Sequence, residues 1–188
     1  MYHVQSEPTT EILTLAETRI RLGIMADDDT TRDDIISEKI RAARQLLEVE
    51  AGSVFSTRSI IGYADSFTSE MKLLQPLQSV QAVKYVDVNG VTQTLSPSLY
   101  YVDLVKHRVV IKPSSTVPAT STDQPNAVSV EYTSGFSTVP QQLKEAIYVV
   151  VGQWEIHQEG MQNGTTPYRL PYSAIQMLNG YRDFRNHV

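Results

Sequence analysis

Residues 140–158, Pro140-Gln-Gln-Leu-Lys-Glu-Ala-Ile-Tyr-Val-Val-Val-Gly-Gln-Trp-Glu-Ile-His-Gln158, decide how the rest of the chain is read. Leu143, Ile147, Val150 and Trp154 recur at spacings of four, three and four, which places them on one helical face. Pro140 supplies a helix-compatible φ in the first turn, where its missing N–H would have had no intrahelical acceptor. Gly160 and the region of Gly164 end the helix. Its opposite face, with Tyr148, Glu155 and Ile156, is free of core duty and is the first candidate for contact with a neighbouring subunit.

On the N-terminal side of this helix lies a block of strand-like sequence. Residues 127–136, "AVSVEYTSGF", put Val128, Val130 and Tyr132 on one face of a strand. Residues 100–112 read as a hairpin, Tyr100–Asp103 with Val109–Lys112, turning near Lys106. Asn89-Gly90 predicts a second hairpin, Val80–Val88 with Val91–Leu95, closed by a type I′ turn whose two central residues need positive φ. The run "SVFSTRSIIGYADSF" is β-branched and aromatic, as strands are. Residues 114–126 form a polar loop with two prolines.

Further back, the chain is helical. Thr14 and Glu17 have the spacing of a capping box opening a short helix that half-buries Leu15, Ile20 and Leu22 and ends at Gly23. A longer helix spans about 31–51, with Ile35, Ile36, Ile40, Ala43, Leu46, Leu47 and Val49 as one broad apolar stripe. Glu38, Lys39, Arg41, Arg44, Glu48 and Glu50 are assigned to its solvent side. Gly52 closes it. Asp27, Asp28 and Asp29 precede it as an acidic turn that favours the positive end of the helix dipole. An EF-hand loop starting at Asp27 would need Gly at its sixth position, which holds Arg32. Beyond the quoted helix, a short helix over Tyr172–Leu178 is capped at Asn179-Gly180.

The order is helices, strands, helices. It predicts an α+β fold, a small helical bundle with an inserted antiparallel β-sheet block. The expected divisions are an N-terminal arm over 1–13, one domain over 14–180 and a tail over 181–188. Within that domain, helices occupy 14–52 and 139–180 and the β insertion 53–136.

The 188 residues are 41% hydrophobic and 20% charged, an ordinary globular composition with no cysteine. Thiolate metal sites and cysteine nucleophiles are thereby excluded. No apolar run nears the ~20 residues of a membrane-spanning helix, and the start "MYHVQSEPTTEI" lacks the basic-then-apolar order of a secretory signal. Residues 1–70 carry 7 Lys/Arg against 13 Asp/Glu, so the net charge of −5 belongs to the N-terminal third. A chain of this charge is not expected to grip nucleic acid through its phosphates.

No nucleophile elbow, phosphate loop or dinucleotide fingerprint occurs. His157 has no His-Glu-x-x-His partner, and His3, His107 and His187 are scattered. Asp33/Asp34 and Glu48/Glu50 are read as solvated charge. No catalytic, cofactor or metal residue is assigned, so no cofactor is expected. The tail residues Tyr181, Arg182, Phe184 and Arg185 are of the types enriched at interface centres, which makes them docking candidates.

Several blocks together carry a resemblance. They are "LTLAETRIRLGIMADDDTTRDDIISEKIRAARQLLEVEAG", "LLQPLQSVQAVKYVDVNGVTQTLSPSLYYVD", "RVVIKP", "AVSVEYTSGFSTVPQQLKEAIYVVVGQWEIHQE" and "LPYSAIQMLNGYR". In this order the chain resembles the head–tail connector (adaptor) proteins of tailed bacteriophages and prophages, over nearly all residues after Leu13. The resemblance implies a virion neck protein without enzymatic activity, made in the host cytoplasm. It implies a homo-oligomeric ring of twelve copies beneath the portal protein. Such a ring extends the channel for double-stranded DNA without binding it specifically, and offers a platform to the next neck or tail protein. The segment implied to reach the portal is Tyr172–Val188, which holds Tyr172, Tyr181, Arg182, Phe184 and Arg185. The 114–126 loop and the short N-terminal arm depart from the family pattern.

A ring built from one repeated contact needs two different complementary surfaces per subunit. The acidic third, with Asp27–Asp29, is a candidate for one of them, and charge reversal there is expected to change assembly. Deleting Gly180–Val188 is expected to leave a folded domain that no longer binds the portal. Two other readings remain open from sequence: another neck or tail ring, a stopper or tail terminator, and a carboxylate-based hydrolase. Clustering of Asp and Glu in a pocket would mark the hydrolase.

Overall fold

The short helix predicted from Thr14 and Glu17 forms as α1, Leu15–Arg21. The Thr14 hydroxyl accepts from the Glu17 N–H at 3.2 Å, and the Glu17 carboxylate accepts from the Thr14 N–H at 3.1 Å. Two N–H groups that the first turn leaves without helical acceptors are thus satisfied. The computed structural model describes residues 2–4, 7–8, 10–24, 32–156 and 170–182. The expectations for Asp27–Asp29, His157, Gly160, Gly164, Phe184 and Arg185 lie outside them.

Among the described residues three further α-helices follow: α2, Asp33–Ala51; α3, Gln141–Ile156; and α4, Tyr172–Leu178. Gly52 ends α2 in the left-handed region, φ 62°, where a side chain would be strained. The α2 cap is Arg32, whose side chain does not bond the helix's free N–H groups, and Asp33 and Asp34 supply negative charge to the first turn. On α3, Leu143, Ala146, Ile147, Val150 and Val151 are buried, whereas Trp154 is half-buried. Together with Thr9–Phe55 and Ser137–Val188 these helices make up one compact unit. In it α2 and α4 both pack on α3.

The other unit comprises Met1–Pro8 and Ser56–Phe136 and holds two antiparallel sheets. Its strands are β1 (Tyr2–Val4), β2 (Arg58–Ala64), β3 (Glu70–Lys72), β4 (Leu77–Val86), β5 (Thr92–Thr94), β6 (Tyr100–Asp103), β7 (Arg108–Ile111) and β8 (Val128–Ser134). One sheet has the order β1-β2-β8-β4-β5 and the other β3-β7-β6. In the central strand β8, Val128, Val130, Tyr132 and Ser134 point alternately into the core. Ile60 of β2, Val83 of β4 and Val109 of β7 are fully buried. The fold is α+β, a helical bundle whose sequence is interrupted by an antiparallel β block. Residues 2–4, expected as part of an arm, pair with β2 in the register Tyr2–Gly62, His3–Ile61, Val4–Ile60.

Four local expectations are corrected. The 87–91 turn is not type I′: Gly90 has φ 78°, but Asn89 is not among the residues with positive φ. The Asp87 carboxylate accepts from the N–H groups of Asn89 and Val91 at 2.9 and 3.0 Å. Gly90 donates to the Asp87 carbonyl at 2.9 Å. This turn puts only the glycine left-handed, because an Asx-type acceptor organises the residues before it. Second, Ile20 on α1 is exposed, and Thr18 and Arg19 take the buried positions. Arg19 achieves this by pairing with Asp33 at 2.5 Å.

Third, the apolar stripe of α2 divides in two. Ile36, Ile40, Ala43, Leu47 and Ala51 are core, whereas Ile35, Leu46 and Val49 are exposed. Fourth, Arg44 and Glu48, assigned to solvent, are buried. Arg44 donates to Glu11 from Nε and Nη2 at 2.8 and 3.1 Å, and to Glu48 from Nη1 at 2.9 Å. The other Glu48 oxygen accepts the Phe55 N–H at 2.7 Å. Burial pulls the Arg44 pKa down, but the hydrogen bonds and charges of Glu11 and Glu48 outweigh it and hold the guanidinium charged.

Candidate functional site

The docking candidates on α3, on α4 and just after it occupy different environments within the helical unit. Ile156 and Tyr172 are 78% and 75% exposed, so both present apolar surface to solvent. The Tyr148 ring lies under the Arg21 guanidinium, 4.3 Å from ring centre to Cζ. Burial, and after it the Glu17 charge, raise the Tyr148 pKa against the opposing effect of Arg21. Arg21 is itself paired with Glu145 at 2.6 Å.

Glu155 faces inward. Its carboxylate pairs with Arg32 and, at 2.7 Å, with Lys39, and its side chain is nearly buried. It therefore ties the end of α3 to α2 instead of standing free on an open face. Tyr181 and Arg182 also reach back into their own unit. The Tyr181 hydroxyl donates to Gln142 Oε1 at 3.2 Å, and Arg182 pairs with Glu50. The chain thus leaves α4 anchored to α3 and to the last turn of α2. Among the described residues, none of the named candidates lines the cleft of the β unit.

Of the carboxylates Asp33, Asp34, Glu48 and Glu50 singled out in the sequence, three are paired with cations. Asp33 holds Arg19, Glu48 holds Arg44 and Glu50 holds Arg182. A cleft of about 310 Å³ in the β unit is lined by Gly62, Tyr63, Thr68, Glu70, Met71 and Val130, among others. Its one carboxylate, Glu70, is paired with Arg108. Paired-carboxylate chemistry needs two carboxyl groups facing one space, and this cleft provides one. Among the described residues no group of three His, Cys, Asp or Glu is placed to hold a metal ion, and no helix is long and apolar enough to cross a membrane.

Sequence patterning passed over the other exposed apolar residues. Besides Ile35, Leu46 and Val49 on α2, the β6–β7 hairpin shows Tyr101, Val102, Leu104 and Val105 to solvent. Apolar residues in a tight turn, where polar ones are usual, were the available signal.

No family model and no curated protein matches this sequence. Solved structures do match. A chain in the neck of an empty gene transfer agent particle, computed with C6 symmetry, superposes with a TM-score of 0.78 over 97% of this chain and 95% of that one, at 18% identity. A chain in the neck of the native particle, computed with C12 symmetry, gives 0.74 over 97% and 94%, at 17% identity. A chain of the native gene transfer agent virion gives 0.74 over 97% and 95%, at 20% identity. At these identities the correspondence establishes a shared fold over almost the whole length of both chains, the α+β arrangement of a helical bundle interrupted by antiparallel sheets.

Proposed function

We propose that this chain is a structural subunit of the neck of a phage or phage-like particle, a head–tail connector (adaptor) that forms a ring beneath the portal. The observation that carries this reading is the end-to-end fold correspondence with chains of gene transfer agent necks and virions. The symmetries of those neck reconstructions, C6 and C12, support a closed ring of this subunit, with twelve copies.

In this reading the ring extends the DNA channel and passes double-stranded DNA without gripping it. An acidic balance of −5 suits that role, since counterion release onto a basic stripe would retard the DNA. The segment Tyr172–Val188 meets the portal, through exposed Tyr172 and through Phe184 and Arg185, with Tyr181 and Arg182 fixing where the segment leaves the helical unit. Asp27–Asp29, Tyr148 and Ile156 serve contacts between subunits, and Glu155 fixes the end of α3 that presents Ile156. The same fold correspondence supports a stopper or tail-terminator ring as the second reading.

Imaging of purified necks by electron cryomicroscopy tests the assignment. Density for this chain in a ring directly under the portal is the expected result. Density in the next layer transfers the protein to the stopper reading, and its absence from the neck overturns both. Removing 183–188 keeps the Tyr181–Gln142 and Arg182–Glu50 contacts, so the shortened chain is expected to melt as the full chain does and to lose binding to purified portal protein. Undiminished binding would remove the tail from the docking site.

A further inference from the structure

Helix α2 has two apolar faces, and only one is used by the described fold. Ile36, Ile40, Ala43 and Leu47 point into the helical unit. Ile35, Ala42, Leu46 and Val49 point away from it, and all four are exposed. At about 100° per residue these four fall within a sector of about 60°, centred about 120° around the helix from the core face. Val49 is 76% exposed. β-branched residues such as Ile35 and Val49 lose side-chain freedom in a helix, and here no packing compensates for that. Scattered exposed apolar residues need no explanation, but a stripe running the length of a helix marks a surface that something covers.

The β unit carries an apolar projection of matching character. The turn between β6 and β7 holds Leu104 and Val105, with Tyr101 and Val102 beside it on β6. Val105 is 87% exposed. The turn itself is firmly built. Asp103 accepts from the Lys106 N–H at 2.9 Å, and His107 sits at φ 50°. The two valines and the leucine are therefore presented on a fixed scaffold.

The charges around the two patches are of opposite sign. Beside the α2 stripe stand Asp34 and Glu38, both exposed and neither in an ion pair among the described residues. Arg41 is held by Glu11 at 3.9 Å. Around the hairpin stand Lys106 and Lys112, the latter 4.6 Å from the centre of the Tyr101 ring.

The geometry points to a second copy of this chain as the occupant. The hairpin tip of one subunit, Tyr101 to Val105, docks on the outer α2 stripe of the next, with Lys106 and Lys112 facing Asp34 and Glu38. The contact uses two different patches, so it is heterologous, and repetition closes a ring or propagates a filament. It deepens the neck-ring reading and rests on it. Apolar contact supplies the burial, and the opposite charges set register and exclude the reverse docking.

The absence of cysteine makes the test direct. Leu46→Cys and Leu104→Cys are made singly in the full chain, mixed at high concentration and treated with a short bismaleimide. The expected product is the mixed dimer, at a yield roughly tenfold above Leu46→Cys mixed with Thr92→Cys, because a specific contact raises the local thiol concentration. The double variant Leu46→Cys/Leu104→Cys is expected to give a ladder of multimers. Crosslinking no better than the control overturns the proposal, as does Leu46→Cys linking only to itself. Adding Val105→Asp to the Leu104→Cys chain is expected to lower the mixed yield several-fold more than Val105→Lys does, since the aspartate would face Asp34 and Glu38. Both substitutions sit at an exposed turn position and leave the fold intact. Equal effects would overturn the pairing of these two patches. A neck ring seen by imaging without this crosslink leaves the ring reading standing and removes the contact. The crosslink without a neck position does the reverse.

Discussion

Arg44 and Glu48, one helical turn apart on α2, meet at 2.9 Å inside the helical unit with the arginine side chain fully buried. Two charges withdrawn from water need each other and further hydrogen bonds, which Glu11 and the Phe55 N–H provide. Arg44→Ala takes the guanidinium away from the buried Glu48 carboxylate, and is expected to cost about 3–5 kcal/mol in urea unfolding. Arg44→Met combined with Glu48→Gln keeps an acceptor for Phe55 and removes both charges, so its loss is expected to be smaller. A loss under about 1 kcal/mol for Arg44→Ala would show that the network contributes little.

Gly135 follows β8, and a Cβ there would lie 2.5 Å from both the carbonyl carbon and oxygen of Ser56. Backbone atoms cannot turn aside as a flexible side chain can. The residue also has φ 122°, a conformation other residues avoid. Gly135→Ala is expected to destabilise by about 2–4 kcal/mol, combining strain with overpacking. Gly90→Ala meets no atom within 4 Å. At φ 78° it is expected to lose only about 1 kcal/mol. Chemical denaturation of the two variants side by side checks the order, and equal losses would contradict it.

Thr14→Ala removes the hydroxyl that accepts from the Glu17 N–H at 3.2 Å. An expected loss of about 1 kcal/mol is typical for a capping residue. Thr14→Ser keeps the acceptor and is expected to stay within about 0.5 kcal/mol of the parent. Thermal melts of the two variants followed by circular dichroism read this difference.

Among the described residues three carboxylates are held below their ordinary values by hydrogen bonds to the charged form. Glu17 accepts from the Thr14 N–H and hydroxyl; Asp87 from the Val91 N–H and also from Asn89; Asp103 from the Lys106 N–H and from Arg108. A lowered folded-state pKa gives stability that is present above the ordinary value, 4.5 for Glu17 and 3.8 for the two aspartates. That stability is lost as pH falls through the lower folded-state value. The melting temperature is therefore expected to drop on acidification below about pH 4.5. Asp87→Asn is expected to melt below the parent at neutral pH, with the gap narrowing in acid. A gap constant with pH would mean that the charge on Asp87 does not matter to the turn.

Regular elements with a local signature were open to reading from sequence alone. The Thr14/Glu17 box, the Gly52 stop, the alternation of Val128, Val130 and Tyr132, and the period of Leu143, Ile147 and Val150 all depend on near neighbours. The misreadings needed partners from elsewhere. Arg44 looks like a surface residue until Glu11, from outside the helix, pairs with it. The seven apolar residues of α2 look like one stripe until packing fixes which sector faces α3. Asn89-Gly90 satisfies a rule for two-residue turns, and Asp87 overrides it by accepting two N–H groups from across the turn. The docking candidates were harder still. Aromatic and arginine content marked Tyr181 and Arg182, but composition could not show that Gln142 and Glu50 already engage them.

The pairing of β1 with β2 has a consequence for the order in which the protein takes shape. These strands are separated in sequence by both α1 and α2, and α3 is made only after the whole β block. Neither unit is encoded by one continuous run. As the chain leaves the ribosome, α2 emerges with its inner apolar face bare, and it stays so until α3 follows the last strand. The interval leaves both stripes of α2 exposed at once, when association with the wrong surface is easiest. Acidic residues at Asp34 and Glu38, flanking the outer stripe, give it charge during that wait.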